Sequence, residues 1–105
     1  MADNTQKQNR KQTGSLTKLK LKEPSLYKVV MLNDDFTPMD FVVDILMHIF
    51  DKAQPDAVEL MMKVHKEGQA VIAVYPYDVA RTKQRTAIGM ARAKGYPFNI
   101  RIDKE

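Results

Sequence analysis

The 105 residues include no cysteine, which removes disulfides, thiolate nucleophiles and cysteine-rich zinc sites together. That absence fits a cytosolic protein, and a cytoplasmic location is the expectation. Only two serines occur, Ser15 and Ser25, and neither stands in a G-x-S-x-G turn that could present a nucleophile. With four glycines there is no G-x-x-x-x-G-K-[ST] or G-x-G-x-x-G loop to cradle a phosphate. No apolar run approaches the ~18 residues of a membrane span. The opening "MADNTQKQNRKQTGS" lacks an apolar core, so no secretory signal is expected.

What is present is an ordinary globular composition, 44% hydrophobic, with a formal charge of +4. The charge is unevenly placed. Residues 1–22 carry Lys7, Arg10, Lys11, Lys18, Lys20 and Lys22 against Asp3, a balance of +5, which leaves −1 for the remainder. A basic tail could touch nucleic acid, but no basic face is evident in the body, and nucleic acid is not expected as a partner. Residues 1–23, rich in Gln, Lys, Asn and Thr, read as a disordered extension, and residues 24–105 as one domain.

Within that domain the pattern is regular. Tyr27, Val29 and Met31 alternate with Lys28, Val30 and Leu32, which predicts a largely buried strand. Thr37-Pro38-Met39-Asp40 predicts a helix start, with Thr37 capping, Pro38 at the first helical position and Asp40 favouring the positive end. Phe41, Val42, Ile45, Leu46, Ile49 and Phe50 continue it to about Phe50. Gln54-Pro55-Asp56 begins a second helix, carrying Val58, Leu60, Met61, Met62, Val64 and His65 and closed by Gly68. "QAVIAVY", residues 69–75, predicts a buried strand. Pro76-Tyr77-Asp78 opens a third helix to about Lys94, with Val79, Thr82, Ala87, Met90 and Ala91 toward the core and Gly95 as terminator. Phe98, Ile100 and Ile102 then alternate with polar residues in a half-buried strand. The order βααβαβ predicts an α+β fold, a small antiparallel sheet with three helices packed on one face.

Few constellations could carry chemistry. Asp34 and Asp35 pair, with Asp40 and Asp44 following, but a carboxylate hydrolase would want a larger cleft, and no catalytic residue is expected. Asp40, Asp44 and His48 fall at i, i+4, i+8 and could ligate a metal, yet they read better as the solvated face opposite Phe41, Ile45 and Ile49. No metal or other cofactor is expected. Asn33, Asp34 and Asp35 crowd one turn beside two helices whose Met39/Val42 and Met61/Val64/His65 share faces by spacing. These residues could form an apolar pocket with Asn33, Asp34 and His65 at its mouth, suited to a bulky apolar group next to a cation. Spacing alone favours core packing for the methionines, and a lone histidine on an apolar face is more often a core histidine than a ligand.

The blocks "YKVVMLNDDFTPMDFVVDIL", "LMMKVHKEGQAV", "ARTKQ" and "YPFNIRI" resemble the ClpS family of bacterial N-degron adaptors, over residues 24 to about 103. The N-D-D-x-T-P-M block, followed some thirty residues on by M-x-x-V-H and then glycine, is the specific part. The resemblance implies a non-enzymatic α+β domain, similar in fold to the C-terminal domain of a bacterial ribosomal stalk protein. It implies binding of proteins with a Leu, Phe, Tyr or Trp first residue, handed to the ClpA-type AAA+ unfoldase of the ClpAP protease. Residue by residue it implies Asn33 and His65 as acceptors for the substrate's α-amino group, with Asp34 assisting electrostatically or through water. Asp35 and Thr37 become rim groups; Pro38, Met39, Val42, Met61 and Val64 become pocket walls, Met39 the gate against β-branched side chains. Phe98 stands where the family usually has a smaller aliphatic pocket residue, which leaves the ranking of first residues open. Asp78, Thr82 and Lys83 correspond to the surface that meets the unfoldase, and the tail to the segment that engages its pore. A monomer is expected. The alternatives are a related peptide-docking module with another partner or narrower preference, and a small RNA- or ribosome-associated protein using the tail.

Overall fold

The computed structural model describes residues 24–105; the expected disordered extension lies outside them. Six elements follow the expected order: β1 (Leu26–Leu32), α1 (Met39–His48), α2 (Gln54–Glu67), β2 (Gln69–Pro76), α3 (Tyr77–Ala93) and β3 (Asn99–Lys104). The sheet runs β2-β1-β3 with both pairings antiparallel, so β1 is central. Val29 and Met31 of β1, fully buried, face the helices and pair across to Ile102 and Ile100 of β3. All three helices contribute to that one core, through Phe41, Ile45 and Leu46, through Ala57, Met61 and Val64, and through Ala80, Ala87 and Ala91.

Three expectations are corrected. The "QAVIAVY" strand is an edge strand with one face in solvent, where Val71 and Val74 are exposed. A bulge opposite Val29/Val30 shifts its phase, so Ala70 and Ile72 point inward before it and Ala73 and Tyr75 pack toward the core after it. On α3 the core stripe is Ala80, Ala87 and Ala91, while Val79, Thr82 and Met90 are exposed. Small side chains let this helix lie close to the sheet, and Val79 and Met90, one residue off the stripe, turn about 100° away.

The third correction concerns the start of α1. Pro38, not Thr37, is the N-cap: its ψ of 143° is extended, and its carbonyl accepts the first intrahelical bond from Val42 N–H. Thr37 is instead drawn backward onto Asp34. The helix ends where expected are kept by glycine. Gly68 closes α2 with φ +87°, and Gly95 follows α3 with φ +78°.

Long polar side chains of α3 fasten the periphery. Gln84 Nε2 donates to the Ile100 carbonyl at 2.8 Å, and Lys83 Nζ to the Ile49 carbonyl at 2.6 Å at the end of α1.

Candidate functional site

A cavity of about 180 Å³ opens where the end of β1, the turn after it, α1 and α2 converge. Its lining comprises Met31, Leu32, Asn33, Asp34, Asp35, Thr37, Met39, Val42, Met61, Val64, His65 and Phe98. Met39 and Val42 come from the first turn of α1, and Met61, Val64 and His65 from one face of α2, as their spacing predicts. Depth follows exposure. Met31 and Phe98 are almost fully buried and form the bottom, whereas Met39 is 46% exposed and stands at the mouth. Asn33, Asp35 and His65 are exposed, which places the polar groups at the rim above an apolar interior.

One backbone contact joins the two sides of that rim. Asn33 N–H donates to the Gly68 carbonyl at 2.9 Å, and Gly68 N–H to the Val64 carbonyl at 2.9 Å. The end of β1 is thereby pinned to the end of α2, where His65 lies. Gly68 can serve this junction because its positive φ turns the chain sharply from helix into β2.

The turn itself is built by Asp34. Its Oδ1 accepts from Phe36 N–H at 2.8 Å and from Thr37 N–H at 2.7 Å, and its Oδ2 accepts from the Thr37 hydroxyl at 2.8 Å. Burial works to raise the Asp34 carboxyl, but the Thr37 and Phe36 donors, helped by the nearby Arg92 charge, outweigh it and hold the pKa below the usual carboxylate range. Asp34 is therefore an ionised residue whose two oxygens serve the loop, leaving Asn33, Asp35 and His65 as rim acceptors without such duties. Among the described residues none of these three side chains forms a hydrogen bond within the protein, so their capacity faces solvent and the cavity mouth.

Of the expected pocket walls, Met39, Val42, Met61, Val64 and Phe98 border this cavity. Pro38 does not line the cavity; as the N-cap it sets the direction in which Met39 leaves the turn. Met31 and Leu32 were missed, although the strand leads straight into Asn33, so its last residues had to border whatever the turn borders. Arg92 was missed as well: its guanidinium donates to the Tyr96 carbonyl at 2.7 Å and the Phe98 carbonyl at 2.8 Å, holding the segment that carries Phe98. An arginine on a helix face gives no sequence signal for that contact.

The other expected sites are separate from the cavity. Asp78, Thr82 and Lys83 border a shallow groove with Val79 at the start of α3. Asp78 and Thr82 are exposed, but the Lys83 ammonium is engaged inside the protein, bonding the Ile49 carbonyl, pairing with Asp51 at 3.6 Å and lying 5.6 Å from the centre of the Tyr75 ring. Asp40, Asp44 and His48 are exposed along α1.

Comparison with known proteins gives a consistent picture. The family described as "ATP-dependent Clp protease adaptor protein ClpS" matches residues 22–101. The chain is 46% identical over 93 residues to the ATP-dependent Clp protease adapter protein ClpS of Treponema denticola, covering 89% of this chain and 92% of that protein. It is 53% identical over 85 residues to the protein of that name from Burkholderia thailandensis, covering 81% and 82% respectively. Among solved structures, Agrobacterium tumefaciens ClpS2 bound to L-phenylalaninamide superposes with a TM-score of 0.77 at 36% identity, covering 79% of this chain and all of that one.

Proposed function

The chain belongs to the ClpS family of ATP-dependent Clp protease adaptors, and from that premise we propose that it captures proteins by a bulky hydrophobic first residue. In this reading the first side chain, Leu, Phe, Tyr or Trp, enters the cavity past Met39. The adjoining α-ammonium donates to the Asn33 side-chain oxygen and to a His65 ring nitrogen. Asp35 adds negative charge at the rim, and Asp34 adds its charge while keeping Thr37 and the loop in place. Pro38 acts through the position it gives Met39.

The observation that carries the reading is the cavity's layering, apolar at the bottom and lined at the rim by groups that accept hydrogen bonds. The ligand of the A. tumefaciens relative has that same order of parts, a benzyl group beside a free α-amine. Magnitudes are compatible. Each hydrogen bond to the ammonium contributes about 1.5–3 kcal/mol, and burial of a Leu or Phe side chain about 1.5–3 kcal/mol. After the cost of association, micromolar binding near about −8 kcal/mol is the expectation.

The adaptor is non-catalytic in this reading and needs no cofactor. It acts as a monomer in the cytoplasm, passing its cargo to a ClpA-type AAA+ unfoldase through exposed Asp78 and Thr82. Lys83 shapes that surface while anchored to α1. No helix among the described residues is long and apolar enough to cross a membrane.

Fluorescence anisotropy with four labelled peptides tests the core of the proposal: Leu-initiated, Phe-initiated, Ile-initiated and N-acetylated Leu-initiated. The first two should bind at micromolar concentration or tighter and the last two should not. Equal binding of the acetylated peptide would remove the ammonium from the mechanism.

A further inference from the structure

We propose that Met39 is an oxidation switch at the cavity mouth: hydrogen peroxide converts its thioether to the sulfoxide, and the modified mouth holds hydrophobic first residues more weakly. This rests on the N-terminal-residue reading of the site and adds a modification to it.

Among the described residues three methionines border the cavity, and they differ in access. Met31 is fully buried at the bottom and Met61 is 9% exposed, whereas Met39 is 46% exposed. Its place explains the difference. A helical side chain leans toward the N-terminus, over the preceding turn. Met39 opens α1 directly after the extended N-cap Pro38, so it has no earlier helical turn to lie on and borders the opening instead. Met90, 43% exposed on α3 and outside the lining, is a reference of similar access with no contact to the site.

The reaction needs only an accessible sulfur. The sulfur lone pair attacks one peroxide oxygen, an S–O bond forms and the O–O bond breaks. The hydroxide released takes the proton of the transferred oxygen and leaves as water. The sulfur gives up two electrons and the peroxide accepts them. A sulfoxide reductase can return the thioether, so the step is reversible.

The product is polar where the site offers an apolar wall. A Leu or Phe side chain entering the cavity covers that wall and strips water from the sulfoxide oxygen. Val42, Met61 and Val64, which share the wall, carry no hydrogen-bond donor to replace it. The Thr37 hydroxyl is already given to Asp34 at 2.8 Å. At the rim Asn33, Asp35 and His65 meet the ammonium as acceptors. An acceptor buried without a donor opposes binding.

The test treats the full chain, Met39→Leu and Met90→Leu with graded hydrogen peroxide. Peptide mass mapping follows each methionine, and anisotropy follows Leu-initiated and N-acetylated Leu-initiated peptides. Met39 and Met90 should gain oxygen well before Met31 and Met61. Affinity for the Leu-initiated peptide should fall about fivefold or more, in step with oxidation of Met39, in the full chain and in Met90→Leu. Met39→Leu should bind equally before and after treatment. Saturating Leu-initiated peptide should shield Met39 and leave Met90 reactive, which exposure alone would not produce. Oxidation of Met31 or Met61 ahead of Met39 overturns the inference, as does an affinity unchanged once Met39 is oxidised. An equal loss in Met39→Leu does the same. If Met39→Leu binds no peptide even untreated, Met90→Leu decides, and a loss there out of step with Met39 oxidation overturns the inference. Failure of the underlying reading looks different: the untreated full chain then binds acetylated Leu like free Leu, or binds neither, and the switch falls with it.

Discussion

Removing the Asp34 carboxylate should loosen the turn that borders the cavity, and the structure allows the size of the effect to be worked out. Asp34→Ala strands three donors, the N–H groups of Phe36 and Thr37 and the Thr37 hydroxyl. Hydrogen bonds to a charged acceptor contribute about 1.5–3 kcal/mol when the donor is left dry. Here Phe36 is exposed and Thr37 half-buried, so water replaces part of the loss. The closer precedent is a deleted helix cap, about 0.5–2 kcal/mol for one side chain. A cost of about 2 kcal/mol is expected for Ala and about half that for Asn, which keeps one accepting oxygen. For a small domain losing about 1 kcal/mol per molar urea, the Ala variant should unfold at roughly 2 M lower urea.

The pH dependence has a definite sign. Because the folded Asp34 carboxyl is held below its ordinary range, its contribution is complete above the unfolded value and is lost as pH falls through the folded one. The stability gap between the unaltered chain and Asp34→Ala should be constant from neutral pH to about pH 5 and close below about pH 4. Asp35→Ala is the control: the adjacent carboxylate serves no such turn, and its removal should change stability by less than about 0.5 kcal/mol. Equal destabilisation by the two substitutions at pH 7, or a gap that widens in acid, would refute the assignment of Asp34 to the loop.

Three further outcomes are expected. Met39→Ala should admit Ile- and Val-initiated peptides, since Met39 stands half-exposed at the mouth; anisotropy showing continued rejection of both would remove its gating role. His65→Lys should weaken peptide binding about tenfold or more, because a cation would then face the ammonium where the imidazole offers an acceptor. His65 is exposed, so the variant should fold, and an affinity that calorimetry finds unchanged would exclude His65 as an acceptor. Gly68→Ala should cost about 1–2 kcal/mol in a urea melt from its φ of +87° alone, because an added Cβ would meet nothing within 4 Å.

What could be read in advance depended on whether the sequence contained a local marker. Element ends were legible where Pro55, Gly68 and Gly95 punctuate the pattern, because fixed φ and free φ act on their own residue. The bulge in β2 was not: "QAVIAVY" is apolar on both phases, and without a polar phase to mark the outer face an inserted residue leaves no trace. The α3 stripe was misread for a related reason. Its buried residues are alanines, chosen for close approach to the sheet, while the larger Val79 and Met90 attract attention and lie outside.

The cavity divides along the same line. That Met39 shares a helix face with Val42, and Met61 with Val64 and His65, was legible from spacing; that these faces border a cavity was not, because the same spacing serves core packing equally well. The division of labour within Asn33-Asp34-Asp35 was not, because all three can accept hydrogen bonds and composition does not say which one the loop will take. The donors decide. Phe36 and Thr37 present two N–H groups and a hydroxyl to the residue two or three places back, which is Asp34, while the Asn33 backbone is held by Gly68. Asn33 is thus fixed through its main chain and Asp34 through its side chain. Asn33, tied by its main chain, leaves its side chain open at the rim, and it is tied to the helix end that also carries His65. That one backbone bond explains why two acceptors thirty-two positions apart in sequence border the same opening.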